Sequence, residues 1–503
     1  MAKFAGPEKR TTFLRQPRAA CLPLGNAVKY FGGSAHAVSL KELTPSALSN
    51  GSRIERNFWF ALGSPDVCEE RRSHINRIVF AAVAFSASIA SGSDYFVAPD
   101  GDDTAFGTIE QPFATIQRAQ EAVVAGDTVF VRGGRYQMRE NQIARKRRIW
   151  AHVIYLNKSG SRGKPITYRA YKNERPVFDF SLVKPEGLRV HAFSVTGSWI
   201  HLKGLEVVGV QVTIKKHTQS ICFANDGSHN VFEQLSMHDG MAIGIYSVKG
   251  SNNLFLNCDA YRNYDSVSEN GRGGNVDGFG CHPTKGSTGN VFRGCRAWFN
   301  SDDGFDCISA FESVTFENCW AFWNGYTPDF KRRADGHGFK VGGFGSRSVN
   351  RLPKPIPRHT TRLCVAARNK TSGYYGNHHI GGSDWFRNSA FRNGVNFNFL
   401  SRKADNVTDV PGYGHVISNN LSFGTRRHVR NLGTEENDAR SNSFDSDVTL
   451  TESDFQSLDE QQLTRPRQAN GKLPRVTFLH LVPKHPWGAF GGMRNLGKSK
   501  PAR

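Results

Sequence analysis

One six-residue pattern recurs through the middle of the chain: a small or polar residue, any residue, Ala, usually an aromatic, any residue, Asn. It runs Cys258-Asp259-Ala260-Tyr261-Arg262-Asn263, Cys295-Arg296-Ala297-Trp298-Phe299-Asn300 and Cys319-Trp320-Ala321-Phe322-Trp323-Asn324. It returns as Cys364-Val365-Ala366-Ala367-Arg368-Asn369 and Asn388-Ser389-Ala390-Phe391-Arg392-Asn393, with a weaker copy at Asn420-Leu421-Ser422-Phe423. Successive copies start 37, 24, 45, 24 and 32 residues apart. A period of this size means a solenoid, and the longer intervals are coils that carry loop insertions on one face. Two dozen residues suit a coil of three short strands. Stacked at about 4.8 Å, such strands bring equivalent positions into ladders. The repeated Asn is therefore expected to ladder at a turn, hydrogen-bonding along the stack, and the in-register cysteines to be small core residues.

The fold class expected is all-β, a parallel β-helix extending roughly from Val129 to Phe423. Phe193-Ser194-Val195, Ile200 to Val207 and Asn230 to Leu235 read as earlier coils. A solenoid must not leave its first sheet edge bare. Tyr95-Phe96-Val97, the helical stripe Ile116, Ala119, Ala122 and Val123, and the strand Thr128 to Val131 form a strand–helix–strand opening suited to a cap. It resembles the N-terminal cap of secreted right-handed parallel β-helix proteins. The 51 glycines and 36 phenylalanines agree with such a scaffold.

Upstream, Arg71, Arg72 and Arg77 precede the apolar run Ile78–Ala87, and Ser88-Ile89-Ala90 supplies small residues. That is the order of a secretory signal peptide, over 71–90, and the run is too short for a permanent membrane span. Its position leaves two readings, a start downstream of residue 1 or a long leader. The organisation expected is an N-terminal extension over 1–90, the β-helix over 91–430 and a C-terminal segment over 431–503 that packs on or trails it. The formal charge of +21 favours an anionic partner, whether nucleic acid, acidic lipid or polyanionic sugar. No nucleic-acid-binding motif supports the first. Nine cysteines without C-x-x-C or Cys/His zinc spacing argue against a structural zinc.

Chemistry concentrates between Asn275 and Gly343. Asp277 stands about one coil before Asp302, Asp303 and Asp306, and Gly304 relaxes the backbone among the last three. Four carboxylates so close repel unless a cation neutralises them, and an all-oxygen donor set without His or thiolate points to Ca²⁺. Lys340 follows in Gly338-Phe339-Lys340-Val341-Gly342. It is either an ordinary exposed lysine or, partly desolvated beside a cation, a base of lowered pKa. Basic residues around the stretch, His282, Lys285, Arg332, Arg333 and Arg347, are candidates to grip carboxylates of a substrate.

Asn275-Val276-Asp277-Gly278-Phe279, the segment 289–298, Asn300-Ser301-Asp302-Asp303-Gly304-Phe305-Asp306 and the segment 336–343 resemble the family 9 polysaccharide lyases, the pectate lyases of that group. The likeness runs from about Ser93 to Leu481. It implies a right-handed β-helix with Ca²⁺ held by Asp277, Asp302, Asp303 and Asp306 and with Lys340 as the Brønsted base. It further implies an enzyme that cleaves polygalacturonate or a related acidic polysaccharide by β-elimination; a monomer, secreted or periplasmic, is expected. Two departures stand out: a His at 282 where the family often has Lys, and a basic, Pro/Gly-rich tail after Leu481. The competing readings are a β-helix polygalacturonase, which hydrolyses with paired carboxylates and needs no calcium, and a non-catalytic surface protein that binds glycans.

Overall fold

The computed structural model describes residues 92–447, 449–488 and 491–492. The expected signal segment, 71–90, lies outside them. Three parallel sheets, of 12, 10 and 11 strands among the described residues and called here A, B and C, wind around one core. Each coil passes from C to A to B. In the central coil these strands are Phe279–Cys281, Asn290–Arg293 and Arg296–Trp298, and the next turn repeats them as Phe305–Asp306, Val314–Glu317 and Trp320–Phe322. Among the described residues, no helix is long and apolar enough to cross a membrane.

The repeat is the strand of sheet B with its corner. Arg262, Phe299, Trp323, Arg368 and Arg392 all take left-handed backbone, φ 47–57°, just before the repeated Asn. Such a bend costs a non-glycine residue on the order of 1 kcal/mol, and the Asn that follows offsets it. Asn263, Asn300, Asn324, Asn369 and Asn393 each pass a side-chain N–H to the next rung, the last to Asn396, over 3.0–3.1 Å. All are buried, so every bond is made away from water, where an unmade one would be costly. The cysteines of the repeat are buried and unpaired, as are all seven described ones.

Inside, Phe279, Phe305, Phe339, Tyr374 and Phe397 stack rung on rung with centroids 4.8–5.2 Å apart. That distance is the spacing of the strands themselves. The opening strand Asp94–Val97 pairs with Thr128–Val131, and between them the helix Ile116–Ala122, N-capped by Thr115, buries Ile116 and Ala119. At the other end, sheet A gains a strand at Asp438–Arg440. The chain then returns along the outside of sheet B, where Phe455, Leu463, Leu473 and Phe478 join Trp320, Phe322, Val365 and Phe391 in a second core. Arg467 clasps Asp259 (2.6 Å) and the carbonyls of Cys258 and Gly294, each at 3.0 Å.

Candidate active site

Sheet C carries the cluster because of a triplet that repeats at one position in each coil: Asp277-Gly278-Phe279, Asp303-Gly304-Phe305, His337-Gly338-Phe339. Phe279, Phe305 and Phe339 are in register and fill the core. The glycine faces inward beside them, against the repeat of sheet B. A Cβ on Gly304 would lie 2.7 Å from the carbonyl oxygen of Gly338 and 2.9 Å from Cβ of Ala321. With two consecutive residues turned inward, the residues on either side, Asp277, Asp303 and His337 before and Gly280, Asp306 and Lys340 after, are directed to the outer face. The register then sets Gly280 beside Asp306, and Asp306 beside Lys340.

The one-coil spacing brings Asp277 beside Asp302 and Asp303, as expected, and the Asp303 N–H donates to Asp277 Oδ1 at 3.1 Å. Other backbone donors fix the remaining acids. Asp302 accepts from Asn275 N (2.7 Å) and Asp335 N (2.9 Å), Asp303 Oδ1 from His337 N (2.6 Å) and Asp306 Oδ1 from Ile308 N (2.6 Å). Asp277, Asp302 and Asp303 each offer an oxygen within 4.8 Å of the others. Asp306 is directed to Lys340 Nζ, 3.2 Å from its Oδ2, and Asp303 Oδ2 faces the same ammonium at 3.0 Å without a well-aligned hydrogen bond.

Four buried acids against one lysine leave the cluster short of positive charge. Burial first, then Asp302, Asp306 and Asp303, holds the Asp277 carboxyl well above the usual range. Burial and Asp303 push Asp302 to about 7, and burial, opposed by Lys340, sets Asp303 to about 6. Lys340 departs from the lowered value expected of a desolvated base. Burial does act downward, but Asp303, Asp306, Asp277 and Asp302 together outweigh it and raise the pKa. The ammonium is here the charge that compensates the acids. A buried all-oxygen set with surplus negative charge, and with Asp303 Oδ2 lacking a well-aligned hydrogen bond, fits a hard divalent cation.

The basic candidates divide by their place in the coil. Arg332 and Arg333 precede the strand Phe339–Lys340 and wall a cavity of about 240 Å³ with Arg272, Asp335 and Lys370. That cavity abuts the cluster, since Asp335 N is bonded to Asp302, and Lys370 Nζ ties its rim by bonding the carbonyls of Arg333 (2.7 Å) and Ala334. The Arg333 guanidinium lies over the Tyr264 ring at 4.6 Å. Lys285 and Arg347 follow their strands instead. Lys285 is exposed on the turn 284–287, and Arg347 covers the Phe311 ring at 5.0 Å. His282 is fixed by Ile308 O, 2.6 Å from its Nδ1, and packs on Tyr246. Burial lowers its pKa, so the ring is neutral, and its Nε2 lies 2.9 Å from where a Cβ on Gly280 would be. Asp335, Arg272, Lys370 and Tyr246 were not singled out from sequence. Arg272 stands in a glycine-rich loop and Lys370 in the short corner between the strands Val365–Ala367 and Ser372–Tyr375, and only the coil geometry brings them to the cluster.

A family model described as "Pel9A-like, right handed beta helix region" matches residues 95–420. The chain belongs to this Pel9A-like family. A pectate lyase L of Dickeya chrysanthemi is 33% identical over 420 residues, covering 81% of this chain and 89% of that protein. A solved structure titled rhamnogalacturonan lyase superposes with a TM-score of 0.77 at 46% identity, over 80% of this chain and all of the other. The crystal structure of pectate lyase Pel9A gives 0.62 at 32% identity, over 80% and 92%. The fold is therefore the right-handed parallel β-helix expected from the repeat and the cap. As a member of the Pel9A-like family with relatives at these identities, the chain is a polysaccharide lyase.

Proposed function

We propose that this lyase is calcium-dependent and cleaves a galacturonate-containing polymer by β-elimination, with Lys340 as the base. The observation that carries the proposal is the place of Lys340 Nζ, 3.0 and 3.2 Å from two carboxylates of a buried acidic cluster on the outer face of one sheet. Asp277, Asp302, Asp303 and Asp306 would hold the ion. Bound there, Ca²⁺ supplies the positive charge that offsets these aspartates and pairs with a uronate carboxylate, acidifying the proton on C5. An ion there would offset the aspartates that raise the Lys340 pKa, and burial, which acts downward, would then favour the neutral amine. Nζ then takes the C5 proton, the electron pair closes a C4–C5 double bond, and the C4–oxygen bond breaks with its pair left on the departing glycosidic oxygen, which takes a proton from water. Arg332 and Arg333, at the cavity beside the cluster, are placed to pair with a neighbouring carboxylate. His282, Lys285 and Arg347 remain candidate contacts on the other side. Secretion belongs to the same reading, since polymeric substrates lie outside the cell and the segment 71–90 has the order of a signal peptide.

The test is ultraviolet absorbance of the unsaturated product, with polygalacturonate as substrate, in calcium and in EDTA. Product in calcium and none in EDTA is expected; full activity in EDTA, or new reducing ends without absorbance, would replace the lyase by a hydrolase. A second substrate has specific support. The rhamnogalacturonan lyase structure is matched over its whole length at 46% identity, against 32% for Pel9A. Rhamnogalacturonan keeps a uronate at the cleaved unit, so the same residues serve. Comparing the two polymers side by side decides between them.

A further inference from the structure

Sheet C continues well past the acidic cluster toward the N-terminal cap. Its outer row runs in register from Asp306 through Gly280, Tyr246, Ala224 and Ser194 to Tyr155. The strand Trp150–Leu156 that carries Tyr155 is five strands from that of Asp306, on the order of 24 Å at about 4.8 Å each. There the sheet ends in a hairpin, with Arg145–Arg147 antiparallel to Trp150–Leu156 and Arg148-Ile149 at the tip. The sequence Arg145-Lys146-Arg147-Arg148 is an uninterrupted basic run, all of it exposed.

A charged edge strand protects a sheet from unwanted pairing, and charge alone suffices for that. Here the charge is sorted by face. Arg147 pairs with Trp150 and Arg145 with His152, so both arginines share the outer face with these rings. Lys146 pairs with Ala151 and is turned the other way. Arg189, on the next strand opposite Trp150, lays its guanidinium over the indole at 5.0 Å, and His191 packs on the same ring at 4.3 Å. Arg145 does the same to Tyr155 at 5.1 Å and donates to its hydroxyl at 2.8 Å. Among the described residues, Arg145, Arg147 and Arg189 form no ion pair with a carboxylate. Edge protection does not call for three arginines without a carboxylate partner, two of them laid over aromatic rings, at the end of the row that holds the reactive cluster.

We propose that this hairpin is a distal anchor for the substrate: Arg145, Arg147 and Arg189 pair with uronate carboxylates while Trp150 and Tyr155 take sugar faces. The anchored unit lies several sugars from the bond that breaks, given a span of at least about 24 Å. The anchor rests on the proposed function for the identity of its polyanion. It predicts an enzyme that favours long chains, because the second contact becomes intramolecular once the first is made.

The experiment compares Arg145→Gln/Arg147→Gln with Lys146→Gln/Arg148→Gln, a pair that removes the same charge from the opposite face and the tip. KM and kcat are measured on polygalacturonate, on rhamnogalacturonan and on trigalacturonate, which is too short to reach the hairpin. The first pair is expected to raise KM on a long polymer roughly five- to tenfold, given two exposed charge pairs and a cation–π contact, with kcat and trimer turnover unchanged. Trp150→Ala should act in the same direction. Equal effects of the two charge pairs, or an equal loss on trimer and polymer, would overturn the anchor. Affinity of each pair in a Lys340→Ala background for the uncleaved polymer gives the same comparison without turnover. If no substrate yields product, the catalytic reading fails and this binding measurement still decides the anchor.

Discussion

The acidic cluster makes a pH-dependent prediction whose sign follows from its geometry. Asp302 ionises at about 7 in the folded protein and, unfolded, near the ordinary 3.8. The folded state therefore holds a proton on Asp302 that the unfolded chain has lost, throughout the window from about 4 to 7. Stability from this group is complete below pH 4 and is lost as the pH rises through 7. Three pH units correspond to about 4 kcal/mol, an upper bound for a site whose charges relax together. Whole-protein melting does not isolate this effect. The buried His337 and His415, with burial holding both near 3, and His379, held near 4, lose stability in the opposite direction as the pH falls. The clean measurement is the difference between wild type and Asp302→Asn in EDTA, by thermal melting from pH 4 to 8. The amide weakens one of the two hydrogen bonds from Asn275 and Asp335 by an amount that does not vary with pH. The variant should thus be the less stable protein at pH 4 and gain on wild type by up to about 4 kcal/mol at pH 8, several degrees in Tm. Calcium should shift the balance back toward wild type at pH 8, adding about 2.7 kcal/mol to it at a hundredfold excess over Kd and less to the variant. A difference that stays flat from pH 4 to 8 would refute the reasoning, because it would mean that neither burial nor Asp303 raises the Asp302 pKa.

Three further substitutions test separate parts of the molecule. Lys340→Ala should reduce product formation at least a thousandfold (the order expected for loss of an acid–base group) while calcium still raises the Tm, read by absorbance and melting on the same sample. Asn324→Ala removes bonds to Asn300 (3.1 Å), Asn369 (3.0 Å) and Ala297 O (3.0 Å) from the buried ladder. With about 1–3 kcal/mol for each group left unpaired, unfolding in denaturant should show a loss of about 3–5 kcal/mol. Arg467→Ala strips one of two arginines from the largely covered Asp259, leaving Arg296 at 2.7 Å. Stability should fall by about 3 kcal/mol, and limited proteolysis should cut first within 455–481.

Much of this protein is written in one dimension. A six-residue pattern with an Asn at its end requires a stack of coils, because only stacking lets each buried amide find the next. The same periodicity, met by Asp-Gly-Phe at 277 and 303, locates a cluster of acids on one outer face. What the sequence could not resolve is the register across loops of unequal length. Only the folded coil pairs Asp277 with Asp303, sets Asp306 against Lys340, and draws Arg272 and Lys370 from separate loops to one cavity. Nor does sequence give a charge state. The lysine expected to be a depressed base is raised here, because its pKa is a sum of burial and four neighbouring carboxylates, and that sum exists only in the assembled site. The basic run at 145–148 is plain in the sequence, but which of its charges share a face with Trp150 was decided by strand pairing alone.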